Sequence, residues 1–355
     1  MSSPHTTDGA SDAPEVSVVT SVYNGARYLE ESVSSILGQT FTDFEFLIVD
    51  DGSTDETPAL LRTCSDPRAR VIRNERNVGV SHSVNRALES ARGRYVARHD
   101  ADDVSVPSRI ARQVAFLNEH PEIGVVGAQM EWIDETDRPL EMPDAPLEHS
   151  LIAWEMVFRC PLFQPTVLIR KSVLDAPGAY DPTLVVAHDY DLWARLMPVT
   201  RMANLPERLV RYRVHSNSVS QRHGADRERE AMRVRRAYVS RVLGRETDAG
   251  LIEAMHRSQI SLERLTDEQV RHVVGLLFEM YEAMLDQGFV VEDERESVRT
   301  AMIERVVRAA QCAPGCVPRA SLSGEYWRSV LPRPVWRAVW GLRHPMKAWR
   351  KRRRP

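Results

Sequence analysis

The chain has 355 residues, 43% of them hydrophobic, and a formal net charge of −3, enough for one main domain with an appendage. Its four cysteines, Cys64, Cys160, Cys312 and Cys316, are too few for a disulfide framework, and Cys312 with Cys316 supplies at most half a zinc site. No stretch reaches the roughly 18 to 20 apolar residues of a spanning helix, and no basic-then-apolar leader opens the chain, so a cytoplasmic protein is expected.

Residues 1–14 are Ser-, Thr-, Asp-, Ala- and Pro-rich without an apolar period and read as a disordered lead. Order begins at Val16. An apolar run over 16–22, then Leu29, Val33, Ile36 and Leu37 at helical spacing, then a second apolar run over 44–49 predict strand, helix, strand. Ser53 with Glu56 reads as a capping box opening the next helix, and short strands are expected over 70–73 and 95–98. Pro107 starts a helix with Ile110, Val114 and Leu117 on one face. Such alternation predicts an α/β fold with a mainly parallel sheet covered on both faces, whose ligands sit beyond the carboxyl ends of the strands. After about residue 215 the sequence turns Arg-rich and helical, as in 227–243 and 268–285.

Two acidic clusters follow expected strands. Asp100, Asp102 and Asp103 put three carboxylates in four positions, which a divalent cation or wide solvation would explain. An acidic helix start before Pro107 is the alternative, and the place at a strand end argues against it for at least two of the three. Asp50 and Asp51 precede Gly52, Ser53 and Asp55; carboxylates there can accept hydrogen bonds from a base or ribose, although a plain turn and helix cap has the same composition.

In order and spacing, residues 16–103 resemble the nucleotide-binding half of glycosyltransferase family 2, the inverting enzymes of GT-A fold. The matching pieces are Val16-Ser17-Val18-Val19 leading to Val22-Tyr23-Asn24, Leu37-Gly38-Gln39-Thr40, Val49-Asp50-Asp51-Gly52-Ser53-Thr54-Asp55, Asn77-Val78-Gly79, Asn85-Arg86-Ala87-Leu88 and the Asp100 cluster. The similarity continues through Pro107, Arg109 and Gln113 to about Ser220. The resemblance implies a Rossmann-like mixed sheet flanked by helices, with a GT-A domain over 15–220 (nucleotide half 15–105, acceptor half 106–220), a helical region over 221–325 and a basic tail over 326–355. It further implies a nucleoside diphosphate sugar donor, with UDP or TDP favoured by Asp51 and Tyr23 and GDP the alternative, a bound Mn²⁺ or Mg²⁺, and a glycan or lipid-linked acceptor.

By the same resemblance Ser21, Tyr23 and Asp51 line the nucleoside pocket, and Asn24, Asn77, Gly79 and Asn85 stand around the donor. Asp100 and Asp102 match the Asp-x-Asp motif, the last carboxylate holding the metal and the first facing ribose or metal, with Asp103 supporting. Arg98 either contacts phosphate or pairs with Asp100. Ala187-His188-Asp189-Tyr190-Asp191 resembles the Glu-Asp catalytic motif at a helix start, with Asp189 as general base, Asp191 as the fallback, and His188 where Glu is usual. Asp191 would raise the pKa of Asp189, and a protonated His188 would lower it. Tyr212-Arg213-Val214-His215 with Ser218 resembles the segment that closes over the donor phosphates, making His215 a third metal or phosphate contact or a structural residue. Acceptor selectivity is expected within 129–166, including Trp132, Trp154 and residues 163–166.

Arg343, Lys347 and residues 350–354 place seven positive charges in the last thirteen residues, leaving −10 on the rest, and Trp327, Trp336, Trp340 and Trp349 are interleaved with them. That composition suits an anionic membrane surface at the inner face of the membrane or a solvated tail, and no nucleic-acid module accompanies it. A nicotinamide oxidoreductase lacks its glycine-rich turn here, since the first strand leads into Tyr23-Asn24-Gly25. A nucleotidyltransferase and a non-catalytic, glycosyltransferase-like binding subunit are the other classes such a sequence admits.

Overall fold

A computed structural model describes residues 13–174, 178–216, 218, 222, 224–261 and 264–313; residues 1–12 of the expected lead and the whole Trp- and Arg-rich tail lie outside them. The chain divides into two compact units, residues 1–147 with 160–230, and residues 148–159 with 231–355.

The first unit is a mixed α/β layer structure. Its strands are β1 (Val16–Val22), β2 (Phe44–Asp50), β3 (Ala69–Arg73), β4 (Tyr95–Arg98), β5 (Val104–Ser105), β6 (Ile123–Asp134), β7 (Pro139–Leu140), β8 (Leu168–Arg170) and β9 (Arg201–Val214). Together they form a nine-stranded sheet in the order β3-β2-β1-β4-β8-β6-β9-β5, with β7 on β6. The half β3-β2-β1-β4 is parallel throughout. Beyond it β8 is antiparallel to β4 and β6, while β6 and β9 run parallel through a bulged register.

The parallel half is threaded by α1 (Ala26–Leu37), α2 (Thr57–Thr63) and α3 (Val80–Ser90), with α4 (Arg109–Glu119) after β5. Both faces of such strands are covered, so β1 and β2 are apolar runs buried almost end to end. Leu29, Val33 and Ile36 of α1 and Ile110, Val114 and Leu117 of α4 join Val16, Val18, Phe46, Ile48 and Leu168 in one core cluster. That cluster holds the strands rigid beneath the loops that leave their carboxyl ends.

The expected capping box at Ser53 and Glu56 is not what the chain builds. Helix α2 starts at Thr57 without a side-chain cap bond. Ser53 instead accepts a hydrogen bond from the Asn24 amide at 2.9 Å, and Asp55 accepts from the Thr57 amide at 2.9 Å. The serine ties the loop after β2 to the loop after β1, a longer-range demand that outweighs local capping.

The second unit is helical in its described residues: α5 (His149–Glu155), most of α7 (Gly224–Leu243), α8 (Ala249–Ile260), α9 (Asp267–Asp286) and α10 (Arg295–Ala310); α6 (His188–Leu196) belongs to the first. A reciprocal Thr266 and Gln269 capping box opens α9. Glu155 of α5 takes Arg305 of α10 at 2.7 Å, and burial of the carboxylate makes that pair a fixed joint. Trp154, expected among acceptor residues, is wholly buried in this unit. No helix among the described residues is long and apolar enough to cross a membrane.

Candidate active site

Parallel strands ending side by side bring their following loops together, and here the loops after β1, β2 and β4 open onto one cavity of about 580 Å³. Ser21, Tyr23, Asn24, Asp51, Asn77, Gly79, Asp100, Asp102, Asp189 and His215 all line it. Three residues expected in the site do not: Asn85, Arg98 and Asp191.

Asp51 lines the cavity just beyond the end of β2. Its Oδ1 accepts from Asn74 Nδ2 at 2.7 Å and from the Val78 amide at 3.0 Å, and its Oδ2 accepts from the Gly79 amide at 2.9 Å. A carboxylate has about four acceptor positions, so roughly one stays open to a ligand. Gly52 beside it has φ +73°, and a Cβ there would meet the Arg76 carbonyl carbon at 2.4 Å, which makes glycine a requirement of the turn. Tyr23 stands at the rim, 44% exposed, as a free ring face would.

The Asp100 cluster rests on buried cations. Arg98, wholly buried, donates to the Val19 carbonyl and holds Asp100 Oδ1 at 3.1 Å from its other terminal nitrogen. Of the two alternatives for Arg98, the pairing with Asp100 is the one present. Arg109, also buried, donates to the Arg98 carbonyl at 2.6 Å and to Ser105 Oγ at 2.9 Å. Burial and the neighbouring Asp102 raise the pKa of Asp100, with Arg98 opposing. Asp103 is turned inward: one oxygen accepts the Arg213 amide at 2.9 Å, the other has no partner, and burial with the two neighbouring carboxylates holds its proton on well above the usual range. Asp103 thus anchors the end of β9, from which His215 follows.

His215 Nε2 lies 2.8 Å from Asp102 Oδ2, and its ring packs against Tyr28 with centroids 5.0 Å apart. Arg213 stacks over the same Tyr28 ring at 4.6 Å and ties it to Asp137 and Glu31. Among the described residues no three His, Cys, Asp or Glu side chains form a ready metal cluster. Asp102 and His215 are the two donors that already meet.

Asp189 sits in the first turn of α6 and opens onto the cavity. Its Oδ1 accepts the Tyr190 amide at 2.7 Å and its Oδ2 lies 3.8 Å from Cys160 Sγ. Burial first, then the charge of Asp100, push its pKa up to about 6, against the Tyr190 amide. Asp191, two residues on, points to another side of the helix and pairs with Arg195 at 2.8 Å. His188 is not protonated as a counterweight to Asp189: burial and then Arg98 push it down to about 4, against the Val185 backbone and Glu230. Asn85 holds residue 180 by a two-way bond, donating to the Tyr180 carbonyl at 2.8 Å and accepting its amide at 2.9 Å. Trp132, Phe163 and Tyr212, edge to face at 5.8 and 4.6 Å, form an aromatic wall of the same cavity. Gln164 and Arg222 also line it; Gln164 lies in the 163–166 run already singled out, while Arg222 carries no distinguishing sequence signal.

A sheet of this order with acidic loops over one cavity is the architecture of GT-A transferases. Residues 1–349 of TarS of S. aureus, solved with UDP-GlcNAc, superpose with a TM-score of 0.54 at 19% identity, over 84% of this chain and 90% of that one. The sequence model of Glycosyl transferase family 2 matches residues 17–168. An uncharacterized glycosyltransferase of Haemophilus influenzae is 30% identical over 76% of this chain and 86% of its own length. The amylovoran biosynthesis glycosyltransferase AmsE of Erwinia amylovora is 30% identical over 59% of this chain and 79% of its own, and the O-antigen biosynthesis glycosyltransferase WbnJ of Escherichia coli 30% identical over 57% and 81%. The chain belongs to glycosyl transferase family 2 and is a glycosyltransferase.

Proposed function

We propose that the chain moves a sugar, with inversion at the anomeric carbon, from a UDP or TDP donor to a hydroxyl of a glycan or lipid-linked acceptor in cell-envelope polysaccharide synthesis. The observation that carries this reading is Asp189, pushed up to about 6 and opening onto the cavity lined by Asp51, Asp100 and Asp102. A base near neutrality is both ionised enough to act and basic enough to take a proton. The carboxylate of Asp189 removes the acceptor hydroxyl's proton as that oxygen attacks the anomeric carbon, and the bonding pair leaves with the nucleoside diphosphate on the opposite side. The biosynthetic roles named for AmsE and WbnJ, and the UDP-GlcNAc held by TarS, support the polysaccharide and nucleotide-sugar parts of the reading.

Asp102 and His215, with Asp100 beside them, fit a Mn²⁺ or Mg²⁺ ion, because such ions take one or two carboxylates and complete their shell with phosphate oxygens and water. Bound there, the ion would stabilise the charge growing on the departing diphosphate. The residues between 106 and 220, with the Trp132, Phe163 and Tyr212 wall, would receive the acceptor. The tail's Trp and Arg residues would place the enzyme on an anionic membrane surface, near a lipid-linked acceptor.

Release of nucleotide from UDP-hexose or TDP-hexose by wild type and Asp189→Asn tests the reading. The variant should bind nucleotide and turn over about 100-fold or more slowly. Equal turnover would remove Asp189 as the base.

A further inference from the structure

Two buried side chains on the cavity wall carry hydrogen-bonding atoms that find no partner of normal geometry among the described residues, His188 making only a loose contact with the Val185 backbone. His188 begins α6 just before Asp189 and is 7% exposed, and both its ring nitrogens lack a partner of normal length and angle. Gln164, also 7% exposed, hydrogen-bonds Asp100 through its side chain and leaves its Oε1 without a partner. Buried polar atoms are almost always bonded, so two such groups on one cavity mark a place where a ligand supplies the missing partners. The neutral imidazole offers one donor and one acceptor, and the amide oxygen a further acceptor.

Their place in the site says what that ligand is. In an in-line displacement the transferred sugar lies between the departing diphosphate and the base. Gln164 is tied to Asp100 on the first side, and His188 adjoins Asp189 on the second. A sugar spanning that gap presents hydroxyls, each able to donate and accept. A sugar bearing a carboxylate would set its charge against Asp100 and Asp189. Arg222 is the only Arg or Lys among the described lining residues, and Arg98 is turned to Val19 and Asp100.

Resting on the donor-site reading above, we propose that His188 and Gln164 bind the hydroxyls of the transferred sugar and restrict the donor to uncharged hexoses, excluding hexuronates.

The test compares the affinities of UDP, UDP-glucose, UDP-galactose, UDP-GlcNAc and UDP-glucuronate in the presence of Mn²⁺, with the TDP series where TDP binds more tightly than UDP. At least one uncharged sugar nucleotide should bind the wild type about tenfold more tightly than UDP-glucuronate. His188→Leu should bring that sugar nucleotide to within about twofold of the free nucleotide's affinity and leave the free nucleotide's affinity unchanged, while His188→Asn, which keeps a donor and an acceptor, should retain part of the gain. Should His188→Leu lose nucleotide binding altogether, Gln164→Met and the wild-type selectivity decide the matter by the same ratio. Equal affinity for UDP-glucuronate, or a sugar gain unchanged in the variants, would overturn the inference while nucleotide binding stands. Failure of the wild type to bind either free nucleotide would remove the donor-site reading and this inference together.

Discussion

Asp102 Oδ2 and His215 Nε2 lie 2.8 Å apart, joining the loop after β4 to the residue after β9 across 113 positions of sequence. The contact is built from both ends: Arg98 and Arg109 hold the β4 loop from below, and Asp103 fixes the Arg213 amide. A divalent ion would replace this hydrogen bond with two ligand bonds. His215→Ala is therefore expected to weaken Mn²⁺-dependent UDP binding by about tenfold or more and to leave the metal-free affinity as it was, read by titration with and without chelator.

The pH dependence follows from Asp189. Its carboxyl, raised from 3.8 to about 6 by burial and by Asp100, must be ionised to act as the proposed base, so the acid limb of the transfer rate should bend near pH 6 with a slope of one proton. The folded state also holds that proton more tightly than the unfolded chain, so ionising Asp189 removes stability as pH rises from about 4 to 6. Activity and this contribution to stability move in opposite directions over that window, and Asp189→Asn should abolish both slopes.

Asp191→Asn separates the two carboxylates of α6. It breaks a partly buried i,i+4 pair with Arg195, of a kind worth about 1 kcal/mol or less, and touches nothing in the cavity, so turnover within about twofold of wild type is expected. A loss comparable to that of Asp189→Asn, measured as nucleotide release, would return Asp191 to the reaction.

Asp51→Ala strips the acceptor from Asn74 Nδ2 and from the Val78 and Gly79 amides at once. With the first of these donors buried, a cost of about 2 kcal/mol is expected, seen as a fall of about 6 °C in thermal midpoint, together with loss of nucleotide binding.

Much of this was legible because the parallel half obeys local rules. β1 and β4 span the residues their apolar runs define, and the two acidic clusters follow strand ends as the alternation requires. The other half was not. β9 carries Pro206 and four arginines, and β6 pairs with it through register shifts, so neither shows a clean period of two. The separation of Asp189 from Asp191 was implicit in their spacing, since residues two apart on a helix cannot share a face. The pairing of Arg98 with Asp100, two residues on, was among the alternatives, but its contact with Val19 and that of Asn85 with Tyr180 had no such sign, those partners being 79 and 95 residues away. Ser53 failed as a cap for the same reason, its partner Asn24 being 29 residues back.

The most direct measurement is calorimetric titration of the purified chain with UDP, TDP and GDP, each with Mn²⁺ and with chelator, on wild type, Asp102→Asn and Asp189→Asn. The account requires Mn²⁺-dependent binding of UDP or TDP by wild type, its loss in Asp102→Asn and its retention in Asp189→Asn. Absence of nucleotide binding in wild type, or binding unaffected by Asp102→Asn, would contradict it.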